Sequence, residues 1–168
     1  LDNNDILIRL RYALDIKNTD MVKIFELGGV TLTKEEVGKV LTKAPDEDEP
    51  AEDDNRIPCS NDMLESFLNG FITFKRGPQK DQSGQPVKPD RSIKNHASVN
   101  NVLLKKLKIA LSLTSEEMID VLDEAGVRIT KGELSAILRK EGQRNYKECG
   151  DRYARNFLKG LSLRYRDQ

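Results

Sequence analysis

The chain contains no tryptophan, one histidine (His96) and two cysteines (Cys59 and Cys149), and only 5% of its residues are aromatic. A lone histidine in a Pro- and Gly-containing stretch argues against a positioned histidine base and a histidine-rich metal centre. Two cysteines with no secretion-type segment read as reduced thiols, since a disulfide framework needs more. No apolar run approaches the ~20 residues that span a bilayer, so membrane insertion is not expected and the cytoplasm is the expected location. H-E-x-x-H, C-x-x-C, Walker and G-x-G-x-x-G patterns are all missing. The expectation is therefore a protein that is not an enzyme and uses no cofactor and no metal.

Charge is abundant, at 33% of residues, and it cancels overall (28 basic and 28 acidic side chains). Its distribution is uneven. Residues 44–70 carry 9 acidic side chains against 1 basic, whereas residues 71–168 carry 20 basic against 12 acidic. Such asymmetry suits a polyanionic partner for the back of the chain, although opposite charges also simply keep a small protein soluble.

The chain repeats itself. NNDILIRLRYAL (3–14) returns as NNVLLKKLKIAL (100–111), and at this offset of 97 residues 14 of 41 ungapped positions are identical. Most mismatches exchange like for like, as in Ile6/Leu103 and Arg9/Lys106. Beyond an acidic insertion the offset becomes 90, pairing Cys59 with Cys149, Phe67 with Phe157 and Gly70 with Gly160. Each copy reads as four helices. The first carries a half-buried stripe at i, i+3, i+4 spacing: Ile6, Leu7, Leu10, Ala13 and Leu14, or Leu103, Leu104, Leu107, Ala110 and Leu111. One asparagine of each leading pair is expected to cap it. Capping boxes open later helices at Thr114/Glu117, Thr33/Glu36 and Thr130/Glu133, and Gly29 and Gly126 stand where a left-handed residue ends the second helix. The fourth helix starts just after the cysteine.

With seven acids among residues 46–54, the insertion is expected to be a solvated loop. The stretch from residue 75 to 99 holds three Pro and two Gly and reads as a linker, mobile or draped on the surface. The predicted architecture is all-α: a first repeat at 1–74 with an acidic loop at 44–56, a linker at 75–99, and a second repeat at 100–168. The two four-helix repeats are expected to pair by pseudo-twofold symmetry, because ~70-residue helical units bury little surface alone.

NNDILIRLRYALDI, LESFLNGFITFKRG, NNVLLKKLKIALSL and KEGQRNYKECGDRYARNFLKGL together resemble the bacterial YehS-like family, built from a duplicated domain of unknown function. These segments span both copies. The resemblance implies a small cytoplasmic bacterial protein and carries no catalytic or ligand residues with it.

Candidate residues come from the polar trim. Arg139, Lys140, Arg144, Lys147, Arg152, Arg155 and Lys159 cluster in sequence around Asn145 and Tyr146, with Arg164 and Arg166 following. Cations neutralise phosphates and an aromatic ring stacks on a base, so residues 139–166 form a candidate nucleic-acid patch; a solvated helix face is the plainer reading. MIDVLDEAGVRITKGELSAILRK resembles a helix-turn-helix, but its link is about two residues longer than the usual tight turn and its last helix has few base-reading side chains. Cys59 and Cys149 precede helix starts, where a dipole can lower a thiol pKa and make a redox pair; a small inherited core residue is the simpler account. The expected function is non-enzymatic interaction with a protein partner, with nucleic-acid binding through residues 139–166 as the alternative.

Overall fold

The computed structural model describes residues 1–43, 56–87 and 91–166, so the expected solvated loop over residues 46–54 lies outside the described residues. These hold eight α-helices: α1 (Asn3–Leu14), α2 (Asn18–Leu27), α3 (Lys34–Val40), α4 (Asn61–Arg76), α5 (Val99–Ala110), α6 (Ser115–Glu124), α7 (Lys131–Ile137) and α8 (Asp151–Tyr165). The only pairing of extended backbone among the described residues is one bridge between Lys80 and Pro86. The fold is all-α and built from two tandem repeats.

Local chemistry sets the boundaries. Thr33, Thr114 and Thr130 each accept a hydrogen bond from the backbone N–H of a Glu three residues on, and that carboxylate answers the threonine N–H. These bonds hold the Glu36, Glu117 and Glu133 carboxyls below the ordinary range. Gly29 and Gly126 have φ of 95° and 88°. Val30 and Val127 then return their N–H to Phe25 and Leu122, closing each helix as a Schellman motif.

The expected asparagine caps are absent. Asp2 caps α1, accepting from the Asp5 N–H at 2.8 Å, and α5 runs directly out of a 3-10 turn at His96–Ser98 with no side-chain cap. Asn4 and Asn101 instead lie buried inside the first turn. Each reaches sideways into the chain before the repeat's last helix, where backbone groups have no ladder to join. Asn4 Nδ2 donates to the carbonyls of Val40 (2.7 Å) and Ile57 (2.9 Å), and its Oδ1 accepts from Cys59 N–H (2.9 Å). Asn101 repeats this with Ile137 (2.9 Å), Lys147 (2.7 Å) and Cys149 N–H (2.8 Å). Asn3 and Asn100 add bonds to the carbonyls of Cys59 and Cys149, 3.1 Å in both cases. The repeated asparagine pair is a clamp.

Within each repeat the second helix packs on the fourth, α2 on α4 and α6 on α8. Gly70 and Gly160 make these crossings close: a Cβ would lie 1.9 Å from the Ile24 carbonyl oxygen or 2.1 Å from that of Val121. Across the repeats the packing is reciprocal, with α1 against α8 and α4 against α5. Buried side chains of both repeats form one continuous core. The pseudo-twofold relation extends to hydrogen bonds. Arg76, ending α4, donates to the Ile109 carbonyl (3.2 Å) and Ser112 Oγ (3.0 Å); Arg166, after α8, donates to the equivalent Tyr12 carbonyl (3.0 Å) and Asp15 carboxylate (3.4 Å).

One buried network breaks the symmetry. Glu65 on α4 and Lys106 on α5 pair at 2.9 Å with side-chain exposures of 1% and 5%, and Lys106 also donates to Asn69. Glu65 accepts the N–H groups of Ser92 (2.8 Å) and Ile93 (3.0 Å). The linker is therefore draped and pinned at this point, because a carboxylate buried this deeply needs donors at both oxygens.

Candidate functional site

A cleft enclosing about 480 Å³ opens beside α5. Three stretches distant in sequence build it. Lys105 stands one helical turn beyond Asn101, on the same face of α5. Arg139 and Lys140 follow the end of α7, in a loop that Asn101 holds against α5 through Lys147. The pinned linker contributes Arg91 and Lys94, and Arg91 donates to the Asp62 carbonyl at 3.1 Å.

The loop after α7 is internally fixed. Arg139 donates to the Arg144 carbonyl (3.0 Å), Lys140 N–H to Gln143 Oε1 (3.2 Å), and Tyr146 N–H to the Gln143 carbonyl (3.1 Å). Gly142 and Asn145 take positive φ of 92° and 64° to close its turns. Asn95 bridges from the linker to Glu141 at 3.0 Å. The lining thus carries five cationic side chains, Arg91, Lys94, Lys105, Arg139 and Lys140, against one carboxylate, Glu141. Among the described residues none of the five is in an ion pair. Tyr146 is half-buried at the wall; burial, and then Glu141 and Glu148, push its hydroxyl up from the ordinary value. Fixed cations in a concave site with an aromatic wall hold anionic groups.

The residues singled out from the sequence do not form one patch. Arg139, Lys140 and Tyr146 meet in the cleft. Arg144 and Asn145 stand exposed at the tip of its loop. Lys147 points to Glu133, at 3.8 Å. Arg152, Arg155 and Lys159 lie exposed along α8, with Arg155 4.0 Å from Asp151, and Lys159 lines a different groove, against α1. Arg91, Lys94 and Lys105 were not foreseen. For Lys105 a signal existed, because its counterpart in the first repeat is Ile8 and such polar divergence marks a position freed from packing. In the helix-turn-helix-like segment α7 has seven residues, and its leading Lys131 is paired with Glu116 at 3.1 Å.

The cysteines occupy matching places with matching chemistry. Both are buried and free, and burial pushes each thiol up to about 12. Desolvation of the thiolate outweighs any pull from the following helix, so the low-pKa redox pair is not what these sites build.

A family described as a protein of unknown function, DUF1456, matches residues 3–77 and 100–167, one segment on each repeat. The chain belongs to this family. Among curated proteins, the uncharacterized protein YehS of Escherichia coli (strain K12) is 41% identical over 162 residues, 96% of this chain and 95% of that protein. No solved structure matches the chain. The two DUF1456 segments hold Lys105, Arg139, Lys140 and Tyr146 of the cleft, while Arg91 and Lys94 come from the linker between them. No described helix is long and apolar enough to cross a membrane.

Proposed function

We propose that the protein is a non-enzymatic binding module whose cleft takes the phosphates of single-stranded nucleic acid. The observation that carries this reading is the convergence of five cations without carboxylate partners, among the described residues, on one concave site walled by Tyr146. Lysine and arginine neutralise phosphates, and a half-buried tyrosine ring gives an unpaired base a surface to stack on. A duplex is a poorer fit, since it needs a protruding element to enter a groove, and α7 is short and packed on α6. The lining groups are suited to neutralising charge, and the one acid, Glu141, is held by Asn95. Of the two partners expected from the sequence, the cleft favours the nucleic acid; a protein partner fits another face of the molecule.

Fluorescence anisotropy with labelled oligouridine and oligothymidine, titrated across salt concentrations, tests the reading. Five phosphate contacts would give a log–log salt slope of about −3.5, from about 0.7 per contact on a single strand. Reversing two charges with Lys94→Glu and Lys140→Glu should reduce the magnitude of the slope by at least about 1.4. Because both side chains are exposed, the thermal transition should be kept. Absence of salt-dependent binding at low ionic strength, or binding indifferent to the double variant, would refute the proposal.

A further inference from the structure

The two repeats treat one groove in opposite ways. Between α4 and α5 runs a groove of about 370 Å³ whose walls include the linker residues Gln79, Lys80, Val87 and Ser92. Non-helical chain therefore lies along it, anchored where Glu65 takes the Ser92 and Ile93 N–H groups and where the Ile93 side chain is buried. The pseudo-twofold counterpart between α1 and α8 has about the same size, 360 Å³, and among the described residues a single non-helical residue, Lys43, lines it.

The buried carboxylate that anchors chain at the first groove has no counterpart in the second. Arg9 stands where the first has Lys106, Lys159 where it has Asn69, and Arg155 where it has Glu65. Arg9, Lys43 and Lys159 line the groove, all three exposed and without an ion-pair partner among the described residues. Its one acid, Asp5, serves the capping box that opens α1. The floor is aliphatic, from half-buried Ile8 and buried Leu158. Where the α4–α5 groove grips backbone N–H groups with a carboxylate, this one offers donors for carboxylates and carbonyl oxygens.

We infer that the α1–α8 groove docks an extended acidic segment of a partner protein, its carboxylates on Arg9, Lys43 and Lys159 and an aliphatic side chain on Ile8 and Leu158. Polypeptide is favoured over nucleic acid because the equivalent groove is already walled by extended polypeptide, and because the one ring lining this groove, Tyr12, has a face covered by the Arg166 guanidinium at 4.0 Å. The inference is independent of the reading of the cleft.

The test uses the full chain and a fluorescein-labelled decapeptide of Asp and Glu with one central Ile, followed by anisotropy at low salt. Arg9→Glu with Lys159→Glu should weaken binding about tenfold, while Lys94→Glu with Lys140→Glu in the cleft leaves it unchanged. Replacing the peptide's Ile by Gly should weaken it about threefold, the loss of one modest apolar contact. Both altered side chains are exposed, so an unchanged circular-dichroism melt certifies the fold. No binding, equal binding of the Gly peptide, sensitivity to the cleft variant alone, or displacement of the peptide from this groove by oligouridine would each overturn the inference.

Discussion

Replacing Asn101 by Asp separates the clamp from the helix cap that its position in sequence suggests. As an N-cap, Asp serves about as well as Asn, and the change would be nearly neutral. In the clamp, Asn101 is 4% exposed and uses its amide nitrogen twice, on the Ile137 and Lys147 carbonyls, and its oxygen once, on the Cys149 N–H. A carboxylate keeps the one acceptor contact but loses both donors and faces two carbonyl oxygens at under 3 Å. Two lost hydrogen bonds at about 1 kcal/mol each, plus about 1–3 kcal/mol for buried acceptors left unsatisfied, give a loss of roughly 3–5 kcal/mol at neutral pH. For a chain of this size that is a fall in Tm of roughly 10 °C. The introduced carboxyl, held above its unfolded value of about 3.9, would contribute least harm when protonated. The deficit should therefore be complete only above the raised folded value and shrink as pH falls from there towards about 3.9. Urea unfolding of Asn101→Asp against the parent, at neutral and acid pH, measures both effects. Asn4→Asp should behave alike, since its three contacts are the same to within a few tenths of an ångström. A loss under about 1 kcal/mol at neutral pH would refute the clamp and restore the cap.

Other consequences can be measured in the same way. Gly160→Ala places a methyl 2.1 Å from the Val121 carbonyl oxygen, so it should destabilise by about 1–3 kcal/mol or more. Gly38→Ala on the open face of α3, with nothing within 4 Å, should stabilise by about 0.5–1 kcal/mol; thermal melts compare the two. Lys106→Met alone removes the cation beside buried Glu65 and should lower stability by about 3–5 kcal/mol, whereas Lys106→Met with Glu65→Leu should recover only part of that, because the Ser92 and Ile93 N–H groups then lose their acceptor, as read by urea midpoints. The two thiols, at about 12 when folded against 9.0 ordinarily, stay protonated in the native state while the unfolded chain ionises. They thus contribute stability that is full below about pH 9 and lost progressively towards pH 12. Cys59→Ala with Cys149→Ala should flatten that decline, and Ellman's reagent should label neither thiol at pH 8 until denaturant is added.

Much of the local structure was legible. The stripes of Leu103, Leu104 and Leu107, the three Thr–Glu capping boxes and the glycines at 29 and 126 each depend on residues within about one turn of one another, so period and spacing reveal them. The asparagine pairs misled because a polar residue at a helix start satisfies the cap rule and the clamp alike, and only the distant Val40, Ile57 and Cys59 distinguish them. The cleft was half legible for a related reason. Arg139, Lys140 and Tyr146 adjoin in sequence, but Arg152, Arg155 and Lys159, equally adjacent, turn away along α8. Arg91 and Lys94 lay hidden in a stretch whose composition reads as tether, and their placement depends on Glu65, a buried acid on another helix.

The sequence by itself determined eight helices, their ends and their duplication, because these follow from interactions between near neighbours that both copies share. Only the tertiary structure decided which helix meets which. The repeats carry matching apolar frames, so no local pattern distinguishes α1 packing on α4 from α1 packing on α8; burial of the whole core settles it. The cleft and the two unlike grooves are products of that choice. They arise where polar residues too far apart to influence each other along the chain are brought together by a core that takes no account of them.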